Sequence, residues 1–250
     1  MPSFKHTVKH ALLSLSLLSI SAAALAAGAP IKAVTDATFP PMEFTENQKM
    51  TGFDIELTEA IAHKLGRSVQ WTNVDFKGLI PSLTAGRADI AVSAIYITPE
   101  RQKVVNFTKP YMAGGLVTLV KEGNNTIKSA DDLKGKKVSV QTGTKSVEWL
   151  HTHIPEAQTV EVEKNQQMFN LVSIGRVDAA VTGKPAAFQY ARTRGGVKVL
   201  PGSLTSEEYG IAVRKDETSL VADINNALDQ LKADGTYKQL VDKWFPVSAK

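Results

Sequence analysis

Strand-like runs alternate with helical ones along most of this chain, and that alternation limits its possible folds more than any other feature. Ile31–Thr35 reads as a short strand. Asp54–Leu65 places Leu57, Ala60, Ile61 and Leu65 at helical spacing, with Gly66 as the stop. Val69–Val74 reads as a strand, Gly78–Ala85 as a helix with Pro81 in its first turn, and Asp89–Ile95 as a strand. Thr98-Pro99-Glu100 is a helix start: a hydroxyl cap, a proline at the first position, then an acid.

The alternation resumes after residue 115. Strands are expected at Leu116–Val120, Lys137–Gln141, Val160–Val162, Asp178–Val181, Val197–Leu200 and Tyr209–Val213. Between them lie a capped turn at Ser129–Leu133, a helix opened by Gly143-Thr144, another from Asn165 to Ile174, and one after Pro185. Glu217–Ala233 and Tyr237–Trp244 close the chain as helices. Strands interleaved with helices predict α/β layers with mostly parallel sheets. Residues 31–115 and 116–205 each carry their own alternation, which is compatible with two lobes.

The N-terminus carries a different signal. Lys5 and Lys9 precede an apolar run, Ala11–Ile20, and a small-residue segment follows with Ala24-Leu25-Ala26. This is the pattern of a secretory signal peptide cut after Ala26. Its apolar core is about half the ~20 residues that span a bilayer. The chain has no cysteine, so disulfides, thiolate metal sites and a lipid anchor at the cleavage site are excluded. About 225 residues remain after cleavage, enough for a large core without disulfides. Formal net charge is +4, and +2 once Lys5 and Lys9 are removed. Lysines and acids are interspersed, with no basic stripe or polybasic patch that would point to nucleic acid or membrane.

Eight runs carry a family resemblance: TDATFPPMEF (35–44), TGFDIELTEAIAHKLG (51–66), DFKGLIPSLTAGRADIAVSAIYITPER (75–101), VNFTKPY (105–111), VSVQTGTKSVEWL (138–150), GRVDAAVTGKP (175–185), EYGIAVRK (208–215) and DGTYKQLVDKWF (234–245). In this order they resemble the polar amino-acid-binding proteins of ABC importers, whose members bind glutamine, histidine, or lysine, arginine and ornithine. The resemblance implies a two-lobed, type II periplasmic-binding-protein fold with a two-strand hinge. Lobe 1 would hold residues 27–110 and 210–250, lobe 2 residues 115–205, with hinges near 110–115 and 205–209. It also implies a soluble periplasmic monomer that closes on a small amino acid or related carboxylate and delivers it to a membrane permease, with no cofactor, metal or nucleic acid.

The same resemblance assigns site residues. Arg101 matches the arginine that grips the ligand's carboxylate, a role suited to a guanidinium's paired donors. Thr144 matches a lobe 2 threonine whose N–H and hydroxyl face that carboxylate, although it could be a plain helix cap. Lys145, next to it, is either solvated or adds positive charge to the cleft. Phe39 and Phe76 match two aromatics that sandwich the ligand, or else belong to the lobe 1 core. Asp36 matches a position that reads the ligand's side chain, or caps a local turn. Ser93 and Ala94 match a segment that holds amine and carboxylate through its backbone; Gln141 and Thr182 match lobe 2 contacts. Two positions depart from the family. Gly183 stands where an aspartate usually neutralises the α-ammonium, and Tyr96 replaces a small hydroxyl residue. A buried ammonium without a counter-charge is costly. These departures favour a small neutral ligand, a D-amino acid or glycine-like molecule, with an amine-free carboxylate as second choice; Glu207 or Glu208 is an alternative source of the missing charge.

Two other functions use the same frame. An enzyme acting on a carboxylate would need a general acid or base in the cleft, and none of the five histidines falls on a matched position. His151 and His153 are two apart on one helix and do not share a face, which argues against a metal site. A sensor module for a membrane receptor would have the same binding site as a transport protein.

Overall fold

The computed structural model describes residues 28–246, so the expected export segment lies outside the described residues. The chain begins with β1 (Ile31–Thr35), a three-strand meander β2 (Thr38–Phe39), β3 (Glu43–Glu46) and β4 (Lys49–Thr51), then α1 (Phe53–Lys64), β5 (Val69–Asn73), α2 (Leu79–Thr84), β6 (Ile90–Ala91), α3 (Pro99–Gln102) and β7 (Asn106–Phe107). After β8 (Met112–Ala113) come β9 (Leu116–Lys121), β10 (Lys137–Gln141), α4 (Lys145–His153), β11 (Gln158–Val162), α5 (Asn165–Ser173), β12 (Ala179–Gly183), α6 (Lys184–Arg194) and β13 (Val197–Val199). The chain returns through β14 (Glu208–Tyr209) to β15 (Ala212–Val213), α7 (Thr218–Ala233) and α8 (Thr236–Trp244).

Two five-stranded sheets result, ordered β5-β1-β6-β15-β7 and β11-β10-β12-β9-β13. Each has a parallel core centred on one strand, β1 or β10. β1 runs parallel to β5 and β6, and β10 parallel to β11 and β12. Each also takes antiparallel strands, β15 in the first and β9 in the second. The sheets are therefore mixed, where the sequence pattern predicts mostly parallel ones. The reason is topological: β9 enters and β15 leaves along the connection between lobes, so each arrives against the direction of its neighbours. β8 and β14 pair antiparallel in a separate two-stranded ribbon that joins the lobes. Gly115, just after β8, sits at φ +108, and a Cβ there would lie 2.5 Å from the Thr205 carbonyl oxygen, so this crossing requires glycine.

Local sequence explains most elements. α1 buries Phe53, Ile55, Leu57, Ile61 and Ala62, and Gly66 at φ +65 ends it. Its buried face packs against α7 and α8, which places the C-terminal helices on the first sheet's side. The expected strand 89–95 is cut to Ile90–Ala91. Ala94 adopts φ +44 and gives its N–H to Asp54 Oδ2 at 2.7 Å, which turns the chain away from the sheet. The expected strand 209–213 is split in two, one part in the ribbon and one in the first sheet. Both breaks occur where the chain passes the cleft.

Candidate functional site

A cavity lies between the two lobes, at the C-terminal ends of β1 and β6 on one side and of β10 and β12 on the other. In α/β sheets this is where strand order reverses and loops diverge to leave a crevice. Its volume, open to the centre of a water-sized sphere, is about 30 Å³. It is lined by Asp36, Phe39, Phe76, Ser93, Ala94, Tyr96, Gln141, Thr144, Lys145 and Thr182, together with Glu43, Leu116, Ser146, Asn165, Val181, Gly183 and Tyr209. Ten of the eleven residues expected from the sequence thus face one space. The eleventh, Arg101, lines a neighbouring cavity with Phe76, Lys77 and Gly143.

At the end of the cavity furthest from the ribbon, the lobes are tied together through Asp36. This carboxylate is 1% exposed and accepts four hydrogen bonds. Oδ1 takes the Thr38 hydroxyl at 3.1 Å and Lys164 Nζ at 3.5 Å. Oδ2 takes the Phe76 N–H at 3.2 Å and Gln141 Nε2 at 2.6 Å. Gln141 and Lys164 belong to lobe 2, so the carboxylate bridges the cleft. Asn165 extends the network, donating to Gln141 Oε1 at 2.8 Å and Thr38 Oγ1 at 3.4 Å. Lys164 also pairs with Asp75 at 2.6 Å. Burial pushes the Asp36 carboxyl up, and the Lys164 charge beside it opposes that shift.

The ribbon end is built from phenols. Tyr96 and Tyr209 stack with ring centroids 4.6 Å apart, and the Tyr209 hydroxyl donates to Tyr96 Oη at 3.1 Å. The Gly115 N–H donates to the same oxygen at 3.1 Å. Burial pushes the Tyr96 phenol up to about 12, so it stays neutral. These rings occupy the space in front of Gly183. A Cβ at that position would lie 2.6 Å from Tyr209 Oη, 3.0 Å from Phe39 Cζ and 3.3 Å from Tyr96 Oη. The backbone there, φ −69 and ψ 141, suits any residue, so glycine is required for space and not for conformation. The departures at 96 and 183 are thus a single packing arrangement.

Glu43 completes this end, and sequence reasoning did not single it out. It is 1% exposed, and its Oε1 accepts the Ser93 hydroxyl at 2.8 Å. Behind it, Asp54 accepts from the Ala94 N–H at 2.7 Å and the Tyr111 hydroxyl at 2.9 Å through Oδ2, and a side-chain hydrogen bond joins the Asp54 and Glu43 carboxyls. Burial, and then the neighbouring Asp54, push the Glu43 carboxyl well above the usual range. Burial pushes Asp54 up to about 6. Two carboxyls in this position hold a proton between them over the ordinary acidic range. Local sequence carries no signal for it: β3 buries only its first residue, Glu43, and shows no alternation.

Arg101 is anchored at the first turn of α3, where the Thr98 hydroxyl caps its N–H at 3.3 Å. Its guanidinium donates to the Tyr96 carbonyl at 2.9 Å and across the lobes to the Gly143 carbonyl at 3.4 Å, and lies 5.6 Å from the Phe76 ring centroid. Burial lowers its pKa. Among the described residues no carboxylate lies within ion-pair distance of it. Thr144, at the start of α4, donates both its hydroxyl and its N–H to the Gln141 carbonyl, at 2.7 and 3.3 Å. Lys145 lines the cavity but pairs with Glu148 at 2.6 Å. Neither Glu207 nor Glu208 lines the cavity. No grouping of metal-ligating side chains occurs among the described residues.

Residues 31–247 match the family of bacterial extracellular solute-binding proteins, family 3. The ABC transporter arginine-binding protein 1 of Escherichia coli K12 is 36% identical over 84% of this chain and 88% of its own length. The L-cystine-binding protein TcyJ of the same strain is 32% identical over 92% and 94%. A solved ancestral arginine-binding protein bound to arginine superposes with a TM-score of 0.84 at 41% identity, covering 88% of this chain and 99% of the other. The chain belongs to the family 3 bacterial extracellular solute-binding proteins and has their two-lobed type II fold.

Proposed function

We propose that this chain captures a small, neutral amino acid and presents it to the membrane permease of an ABC importer, as an exported monomer. Its relatives include proteins that bind arginine and cystine, which supports an amino acid as the ligand class. The observation that carries the narrower reading is the cavity itself. With the lobes together it leaves about 30 Å³, a few times what one water needs, so a long side chain has no room without wider opening. Position 183 offers no charge, and the tyrosine pair closes the route to it. A D-amino acid fits this arrangement, because inverting the α-carbon with carboxylate and side chain held turns the amine away from residue 183.

In this reading Arg101 anchors the carboxylate. Only two of its N–H groups are taken, both by carbonyls, and a carboxylate is the stronger partner for a buried guanidinium. A carboxylate entering beside Phe76 would replace the long bond to Gly143. The test is a thermal-shift panel of glycine, the D- and L-alanines, L-glutamine, L-arginine and lactate, since a ligand selective for the folded state raises Tm with concentration. Arg101→Ala is expected to leave the fold intact and weaken the best ligand at least ~100-fold, equivalent to about 2.7 kcal/mol. Tight binding of L-arginine or L-glutamine with no response to the small ligands would overturn the small-ligand reading.

A further inference from the structure

The wall of the cavity holds two carboxyl groups, Asp36 and Glu43. Glu43 settles its charge locally, in the hydrogen bond it shares with Asp54. Asp36 settles its charge across the cleft. An ionised carboxylate has about four lone-pair sites, and Thr38, Phe76, Gln141 and Lys164 each supply a donor to Asp36. Of these donors only Lys164 brings a charge. Resting on the reading of the cleft as an amino-acid site, we propose that Lys164 is a specificity-determining residue: it supplies from lobe 2 the positive charge that Asp36 would otherwise draw from a ligand, so the cleft rejects amino acids with basic side chains.

Local structure does not account for a lysine here. Lys164 is the N-cap of α5 and makes no side-chain cap hydrogen bond. That position favours Ser, Thr, Asp or Asn, whose oxygens accept from the free N–H groups. An ammonium has no acceptor, its charge opposes the positive end of the helix dipole, and no acidic residue in the first turn offsets it. What the lysine gains lies in lobe 1: Asp75 Oδ1 at 2.6 Å and Asp36 Oδ1 at 3.5 Å. The two acids differ in consequence. The Asp75 side chain is 46% exposed, so water screens it, whereas that of Asp36 is 1% exposed. A buried carboxylate stripped of its cation is costly, so without Lys164 the cleft would gain by closing on a ligand that carries one. With Lys164 in place, a second cation meets a neutralised carboxylate whose acceptor sites are taken, and the lysine's own charge repels it. The ancestral arginine-binding protein is bound to arginine, so exclusion of a basic side chain has to come from particular residues rather than from the fold.

Two pairs of amino acids, each taken in both hands, separate charge from size: 2,4-diaminobutyrate with homoserine, and arginine with citrulline. The members of a pair match closely in length, and only the first has a basic side chain. Calorimetry, with displacement of the tightest of glycine, D-alanine and L-alanine for weak binders, gives the ratio of affinities within a pair. That ratio cancels any general weakening of closure. In the wild type the neutral member is expected to bind more tightly. In Lys164→Ala the ratio should shift at least ~10-fold toward the basic member in one pair or both, the scale of a charge-assisted bond. Lys164→Arg should keep the wild-type ratio, and Lys164→Ala combined with Asp36→Asn should lose the shift. No shift in Lys164→Ala, or a shift that survives Asp36→Asn, overturns the assignment and leaves the neutral-ligand reading standing. A wild type that binds a basic member at least as tightly as its neutral partner overturns both, and failure of every amino acid to bind overturns the amino-acid function with them. If Lys164→Ala does not fold, the wild-type ratios still decide, and Lys164→Met, which keeps the apolar stem, gives the second reading.

Discussion

The two ends of the cleft each hold a buried carboxylate, and their surroundings are opposite. At the outer end, Asp36 is saturated by donors from both lobes, so protein groups satisfy one another across the gap. At the ribbon end, Glu43 and Asp54 are hydrogen-bonded to each other, and burial pushes both carboxyls up. A saturated carboxylate can fix the lobes relative to each other but has little capacity left for a ligand. A buried pair of carboxyls that shares a proton carries less charge than two free ones, so it sits in the wall of the cleft without a basic partner. The comparison separates a carboxylate that links the lobes from a pair that settles its charge within one lobe, although both use the same residue chemistry a few residues apart from β1 to β3.

The largest effect that would break this division is expected at Gly183. Gly183→Asp places a Cβ 2.6 Å from Tyr209 Oη and adds a charge among buried phenols. Closing the lobes would then require displacement of the tyrosine pair, so affinity for the best ligand should fall at least ~100-fold, in line with the several kcal/mol of an uncompensated buried charge combined with overpacking. Gly183→Ala isolates the steric part and should lose less. Calorimetry checks both, and equal affinity in wild type and Gly183→Ala would show that the tyrosines yield easily.

Asp36 comes next. Asp36→Asn keeps the shape but can present an amide N–H₂ to Gln141 Nε2 or Lys164, where an acceptor is needed. The latch should weaken by a charge-assisted bond or two, lowering ligand affinity ~10-fold, equivalent to about 1.4 kcal/mol. The empty protein should also open, with a larger radius of gyration in small-angle scattering than the empty wild type. If affinity falls but the radius does not change, Asp36 acts on the ligand and not on closure.

How far the sequence led depends on which interactions fix each part. β10 and the helices are local: alternating apolar residues and caps specify Lys137–Gln141, Phe53–Lys64 and Thr218–Ala233 almost to the residue. The meander Thr38–Thr51 was not legible, because its strands are two to four residues long and are held by pairing with one another rather than by any period. At the site, residue type and family likeness identified ten lining positions and left Asp36 and Thr144 each with a ligand-facing role or a local capping one; in the structure Asp36 accepts from Gln141 across the cleft and the Thr144 hydroxyl donates to the Gln141 carbonyl. Partner choice among polar groups depends on distances across the cleft, and no spacing along one chain encodes those. Glu43 was missed for the same reason: the groups around it, Ser93 and Asp54, come from other parts of the chain.

The smallest expected effect separates contact from contribution. Lys77 and Glu163 form a further link across the lobes, at 2.6 Å, shorter than either long contact of Lys164 or Arg101. Their side chains are 52% and 46% exposed, so water and salt screen the pair, and ordering two long side chains offsets much of the attraction. Lys77→Ala should change ligand affinity less than twofold at physiological salt. Glu163 keeps its place regardless, because its backbone carbonyl accepts from Gln141 Nε2 at 3.0 Å. Calorimetry at low and physiological salt provides the check: the small deficit of Lys77→Ala should shrink as salt rises. A loss as large as that of Asp36→Asn would mean that an exposed pair can hold the lobes as firmly as a buried one, and the contrast between the two ends of the cleft would then rest on something other than burial.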